Sequence, residues 1–350
     1  MSLTELEFQA QGISQEAVPA GGIQGRSQLQ LTWRRLRRDR MAVASMIVIC
    51  VIAILALLAP VFASLLGHGQ AQVFPNTGLS STGGPMAPGT HGFIFGTDEL
   101  GRDLLVRVLY GARVSLFVGL TTTAIATVAG VTVGLITGFF GGWVDAVLAR
   151  FIDTVLAFPF LVLALSLAVV FGPSLTIVIS VISFFSWAAI ARIVRGQTLS
   201  IKEKEYIEAA RSLGASPWRI MFVHILPNLM APVLVLATLS IPAAIVFEST
   251  LSYLGLGIQP PTASWGNILA GAQSYYQIAW WYLVFPAAAL LITTLAFNLL
   301  GDGVRDALDP RTERIFAAGR KRGRRFRVGR PAAQIDGLIS SIQTDLPEEG

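Results

Sequence analysis

The sequence predicts an all-α polytopic membrane protein with six transmembrane helices. Of its 350 residues 53% are hydrophobic and 13% charged, against roughly 25% charged residues in soluble globular proteins. Mean hydropathy is +0.63. Long uncharged runs recur along the chain, and about 20 apolar residues suffice to cross a bilayer core of about 30 Å as a helix. So small a charged complement does not cover a soluble protein of this length, which excludes a disordered chain, a disulfide-rich secreted domain and a cytosolic enzyme. Cys50 is the single cysteine, so there is no intramolecular disulfide and no basis for a cysteine metal cluster. His68, His91 and His224 follow no ligand spacing.

Each run has its own boundaries. Met41–Leu66 follows the basic stretch Trp33–Arg40. It is too long and too far along the chain for the apolar core of a signal peptide, about 7–15 residues, and reads as a membrane anchor. Residues 1–40 before it form a tail ending in an interfacial basic segment. Val114–Val144 is the second span, with a Gly-rich exit at Gly138–Gly142. Residues 67–113 lie between these spans as an extracytoplasmic segment, in which Leu104–Arg113 reads as a short interfacial helix. Thr154–Ala191 is interrupted by Gly172-Pro173 and reads as a hairpin of two spans. Ile225–Phe247, continuing past Glu248 to Leu254, is the fifth, and Ile278–Gly301 the sixth. Residues 114–304 make the main transmembrane domain, and 305–350 a basic tail.

Orientation follows from Lys and Arg in the connecting segments. With a cytoplasmic N-terminus, 23 of the 26 basic residues fall inside and only Arg102, Arg107 and Arg113 outside. Both termini are therefore expected in the cytoplasm. The net charge of +5 is then a matter of topology and membrane lipid, not of nucleic acid. Trp143, Trp187, Trp265, Trp280 and Trp281 fall near span ends and read as interfacial anchors.

The most informative segment is the cytoplasmic loop 192–224. Its charged and Ala-rich stretch favours a helix, with Tyr206, Ala210, Leu213 and Pro217 spaced as one face. Gly214 is placed to end it in the left-handed conformation. Ser216 reads as an N-cap and Pro217 as the first residue of a second helix, which runs to Leu226 before Pro227. Small residues at Ala209, Ala210 and Gly214 leave room for another protein's surface. The reading is a rigid lever between two spans, beside the plainer one of a structured connection.

The string Glu208-Ala209-Ala210, then Gly214, then Ile225-Leu226-Pro227, resembles the EAA motif of ABC importer permeases. Phe95–Asp103, Leu251–Pro261 with Ser264-Trp265-Gly266, Ala296–Asp302 and Leu308–Arg311 narrow it: together they resemble the C-type permease of dipeptide, oligopeptide and nickel importers. The resemblance is dense over Phe93–Arg311. It implies a type I importer (MetI-like) permease fold providing half of a translocation pathway. It also implies a B-type sister permease, two cytoplasmic ATPase subunits carrying ATP and Mg, and an extracytoplasmic solute-binding protein. In such a family the loop docks on the ATPase, which assigns ATPase coupling to Tyr206, Glu208, Ala209, Ala210, Leu213, Gly214, Ala215, Ser216, Pro217, Leu226 and Pro227. No cofactor or metal is expected on this chain. A P-loop requires Lys followed by Ser or Thr, whereas Lys202, Lys204 and Lys321 precede Glu, Glu and Arg.

Outer-gate or pathway candidates are Asp98, Arg102, Asp103, Glu248 and Asn298. Asp98, Glu99, Arg102 and Asp103 form a mixed-charge cluster in the extracytoplasmic segment. Glu248 is an acidic residue well inside a predicted span, a costly position that marks function by default. It either faces the pathway and meets a peptide ammonium group or pairs with Arg102 or Arg107. Thr121, Thr122 and Thr123 are expected to satisfy helix backbone or neighbouring helices, and Ser183, Thr293 and Thr294 likewise. Asp145 and Asp153 read as caps or partners of Arg150. The polybasic Arg320–Arg327 suits anionic lipid, and Ile335, Leu338, Ile339 and Ile342 form a helical stripe that suits an ATPase surface. The rival readings are the same importer moving nickel chelates or another solute, a stand-alone secondary transporter, and a membrane enzyme. Scarce buried ionisable groups and the lack of an inverted repeat oppose the second; the lack of a clustered His, Cys or carboxylate set opposes the third.

Overall fold

The computed structural model describes residues 28–308. The N-terminal tail before residue 28, the Arg320–Arg327 run and the Ile335–Ile342 stripe lie outside the described residues. The architecture within them is α-helical: α1 Gln28–Leu36, α2 Arg40–Leu57, α3 Ala59–Leu66, α4 Leu104–Phe140, α5 Gly142–Ala157, α6 Phe160–Phe171, α7 Leu175–Lys202, α8 Glu205–Ser212, the single turn α9 Pro217–Arg219, α10 Leu226–Tyr253, α11 Trp265–Ala272 and α12 Trp280–Leu308. Among the described residues, five helices are long and apolar enough to cross a membrane: α2, α4, α7, the continuous Pro217–Tyr253 segment, and α12. The pair α5 and α6, bent by 82°, makes a sixth if it counts as one span.

Several boundaries differ from those the sequence predicts. Leu104–Arg113 is no separate interfacial helix but the first turns of α4, which Asp103 caps by accepting from the Val106 amide at 3.1 Å. The third span does not begin at Thr154. Thr154 lies inside α5, and the chain breaks at Phe158, which is extended (φ −73°, ψ 133°) because a residue preceding proline is pushed out of the helical region. At 12 residues, α6 is about 18 Å long and cannot cross a bilayer core alone. The first predicted span divides at Leu58, before Pro60, into α2 and α3. The sixth runs on to Leu308, past Asp302, Arg305 and Asp306.

The centre of the fold is the seam between α4 and α7. Gly130, Gly134 and Gly138 recur every fourth residue on α4 and so share one face. A Cβ at these positions would stand 2.7 Å from Ile190 Cβ, 2.6 Å from the Ala191 carbonyl and 2.7 Å from Thr198 Cβ of α7. The helices therefore meet backbone to backbone, as small residues permit in membrane bundles. Phe139, Ile152, Trp187, Val194 and Ile201 pack around the seam. Trp187, Trp265 and Trp281, 9%, 1% and 8% exposed, are core residues and not interfacial anchors. Asp145 and Asp153 of α5 pair with α7, not with Arg150: Asp145 with Arg195 at 2.5 and 2.8 Å, Asp153 with Arg192 at 2.6 Å. These pairs fasten the charged flank of α5 to the seam. Thr293 and Thr294 bond the carbonyls four residues back, at 2.7 and 2.9 Å. Thr122, Thr123 and Ser183 are buried with hydroxyls that bond nothing, contrary to expectation.

Candidate functional site: a hairpin at one end, a junction at the other

The 192–224 connection forms the expected helix-turn-helix. α8 ends in a Schellman motif: the Gly214 amide bonds the Arg211 carbonyl at 2.9 Å and the Ala215 amide the Ala210 carbonyl at 3.0 Å. Gly214 has φ +80°, which glycine adopts at no steric cost. Ser216 then caps α9, its hydroxyl accepting from the Arg219 amide at 3.3 Å, with Pro217 at the first helical position. Pro227 does not end the second helix, as the sequence suggests. Ile220–Ile225 winds as a π-turn in which the Leu226 amide reaches back five residues to Met221, and the helix continues through Pro227 into α10. The hairpin is thereby one piece with a membrane-length helix.

The predicted face of Tyr206, Ala210, Leu213 and Pro217 lies outward, exposed except at the half-buried Ala210. The inward side holds the buried anchor, Ile207, which packs with Ile220, Met221 and Ile225 against the α4–α7 core, where Ala215 and Leu226 also rest. Tyr206, Glu208, Ala209, Leu213, Gly214, Ser216, Pro217 and Pro227 are exposed and Ala210 is half-buried. Arg211 lies over the Phe139 ring at 5.9 Å, fixing the hairpin to the end of α4. The tip is apolar: Leu213 is 89% exposed, and Trp218 and Phe222, stacked at 5.9 Å, are 59% and 53% exposed. Sequence reasoning missed Trp218 and Phe222, although their i, i+4 spacing within a helix was legible.

At the other end, Asp98, Arg102 and Arg107, all buried, and the half-buried Glu99 form an ion-pair network, with buried Asp103 beside it. Asp98 accepts from the Arg102 amide and Nε at 2.9 and 2.6 Å, and Arg107 Nε stands 3.1 Å from it. Glu99 meets Arg102 Nη2 at 3.1 Å and accepts from the Tyr282 hydroxyl of α12. Asp103 stands 2.6 Å from His68 Nδ1, whose ring stacks on Phe93. The cluster thus ties the 67–103 segment to the first turns of α4 and to α12. Burial, then the Asp98 charge, push the Glu99 carboxyl above its usual value. A raised acid is stabilising when protonated and costs stability once ionised. The contribution of Glu99 is therefore greatest below the ordinary value of 4.5 and falls as pH rises through the raised one. Glu99→Gln should flatten this fall above pH 4.5, measured by hydrogen exchange of the Thr97–Arg102 amides; an unchanged pH dependence would refute it.

Glu248 pairs with neither Arg102 nor Arg107, and it faces no open cavity within this chain. It is 0% exposed. Its carboxyl accepts from Ser115 of α4 at 2.7 Å and Ser252 of α10 at 2.8 Å, with Ser249 at 3.4 Å. Ser252 in turn accepts from the Ile258 amide at 3.0 Å, which holds the chain leaving α10. α11 closes over this point: a Cβ on Gly266 would meet the Ser249 carbonyl at 2.3 Å, and the Trp265 indole donates to the Val108 carbonyl at 3.1 Å. Ser264, Trp265, Gly266 and the 248–258 stretch thus form one junction of α4, α10 and α11. Ser115 lies 12 residues, about 18 Å, along α4 from Asp103, and Asn298 lies exposed about 24 Å along α12 from Tyr282. The predicted pathway residues therefore occupy three places.

Membrane-length helices, one of them continuous with an exposed apolar hairpin, define the chain as a polytopic membrane subunit. Residues 130–314 match the family described as binding-protein-dependent transport system inner membrane component. Residues 27–76 match the N-terminal TM domain of oligopeptide transport permease C. The chain is 41% identical over 292 residues to the oligopeptide transport system permease protein OppC of Haemophilus influenzae, covering 83% of this chain and 90% of that one. It is 43% identical to OppC of Escherichia coli K12 (83% and 93% covered) and 40% identical to the dipeptide permease DppC of Bacillus subtilis (82% and 87%). A chain of the inward-facing MetNI methionine ABC transporter aligns with a TM-score of 0.49 and 19% identity over 58% of this chain and 96% of its own. This chain belongs to the binding-protein-dependent ABC transporter permeases, in the branch of OppC and DppC.

Proposed function

We propose that the chain is the C-type permease of an ATP-driven importer of dipeptides and oligopeptides, forming half of the translocation pathway across the plasma (inner) membrane. The observation that carries this reading is the hairpin, with its apolar tip free and its base packed on the α4–α7 core. Support for the solute comes from relatives at about 40% identity that are named as peptide permeases. The assembly contains a B-type sister permease, two ATPases carrying ATP and Mg, and an extracytoplasmic binding protein. Counting the bent α5–α6 pair as one gives six spans, an even number that leaves both termini on one side of the membrane, and the distribution of basic residues supports the cytoplasmic side.

The working cycle is alternating access. ATP closes the partner ATPases, the hairpin tip follows, and its motion passes through the π-turn into α10. The far end of α10 carries the Glu248 junction, so α10, α4 and α11 re-aim together at the other membrane face. This chain does no chemistry itself. The test is uptake by proteoliposomes holding the whole complex. Labelled tripeptide should accumulate only with ATP in the ATPase compartment and binding protein opposite. Uptake driven by a proton gradient without ATPases would establish the secondary transporter, and nickel-chelate uptake that peptide does not compete would establish the other solute.

A further inference from the structure

Between α2, α4, α11 and α12 lies an apolar groove of about 270 Å³, which shares Trp265 with the Glu248 junction and nothing with the hairpin. Its walls include Ile52 and Leu55 of α2, Leu105, Leu109 and Ala112 of α4, and Ile292 of α12. One hydroxyl side chain lines it, Thr293, and that hydroxyl is already bonded to the Ala289 carbonyl at 2.7 Å. A cavity without free polar partners does not hold ordered water. Three of its walls are membrane-length helices. Exposed positions beside the lining residues, Val51, Ile54 and Leu295, are apolar, as suits helices that meet hydrocarbon.

A charge follows the lining residue Ala112 directly in sequence. Arg113 follows Leu109 by one turn of α4, is exposed, and makes no ion pair among the described residues. Side chains on a helix lean toward its N-terminus. That lean carries the guanidinium back over the Leu109 turn, beside the groove. Arginine matches phosphate oxygens in a bidentate fork. An apolar slot with an unpaired guanidinium beside it has the chemistry of one ligand class.

We propose that this groove binds a phospholipid with an anionic headgroup, one acyl chain lying against α2 and α12 and the phosphate on Arg113. The experiment uses the purified complex in nanodiscs of phosphatidylglycerol and phosphatidylcholine, followed by native mass spectrometry after detergent exchange. The wild type should retain phosphatidylglycerol in preference. Arg113→Gln should retain about five-fold less of it, the share of one arginine near an anionic surface, with phosphatidylcholine unchanged. Leu55→Trp, which fills the slot from a half-buried position, should lose both lipids. Retention at wild-type levels in either variant overturns the proposal. So does a photoreactive residue at Ile292 that captures a polypeptide instead of lipid, because a neighbouring chain would then fill the groove.

Discussion

Replacing Gly134 by valine is expected to collapse the fold's central seam. A Cβ there stands 2.6 Å from the Ala191 carbonyl and 2.8 Å from Val194 Cβ, distances that force backbone to move and not merely a flexible side-chain end. Overpacking typically costs about 1–3 kcal/mol. A clash with a neighbouring helix backbone belongs at about 3 kcal/mol. The effect reaches function because Trp187 and Val194 pack in the same cluster as Ile207, Ile220 and Met221 at the hairpin base. Gly134→Val should therefore lower the thermal transition of the purified complex and its uptake together. Gly196→Ala on α7 is the control, since a Cβ there meets nothing within 4 Å. It should be neutral or slightly stabilising, alanine being favoured over glycine in a helix by roughly 0.5–1 kcal/mol. Equal stability of the two variants would mean that the seam is not packed backbone to backbone.

The second large effect is expected at Glu248. Glu248→Ala removes the acceptor for Ser115, Ser252 and Ser249 together in a site that is 0% exposed. Each hydroxyl left without a partner costs about 1–3 kcal/mol, so the total for the three should be at least about 3 kcal/mol. Glu248→Gln keeps the volume and one oxygen acceptor and should cost about 1 kcal/mol, the ordinary worth of a hydrogen bond. A double-mutant cycle separates the junction from a substrate site. If Glu248 acts through Ser115, adding Ser115→Ala to Glu248→Ala should cost little more than Glu248→Ala alone. Additive losses, or a variant of full stability that no longer transports, would instead assign Glu248 to the pathway.

These two sites also show what the sequence made legible. The hairpin corner was readable because its signals are local: Gly214 at a left-handed position, then Ser216 and Pro217 as cap and first turn. Its inner anchor, Ile207, was not legible, since periodicity in a short helix does not say which face packs inward; tertiary packing decides. The π-turn carries no sequence signature, so Pro227 read as a stop although the preceding turn relaxes the hydrogen-bond register around it. The α5–α6 break was hidden because Asp145, Arg150 and Asp153 disguised α5 as a boundary, while Pro159 lies within an uncharged apolar run. Glu248 was conspicuous as a buried acid, and Ser249 and Ser252 stand beside it in sequence. Ser115 lies 133 residues away, and nothing local announces that contact. The Gly130, Gly134 and Gly138 spacing was present in the sequence but gains meaning only when α7 is placed against it.

Leu213→Asp tests most directly whether the hairpin couples transport to a partner ATPase. Leu213 is 89% exposed, so the change leaves the packing of this chain untouched and alters only what the tip presents to another protein. The measurement is ATP-driven peptide uptake by proteoliposomes, alongside the amount of chain inserted in the membrane. Uptake should fall by at least about ten-fold, the effect of 1.4 kcal/mol lost at an interface, with insertion unchanged. Wild-type uptake with an aspartate at the tip would contradict coupling through the hairpin.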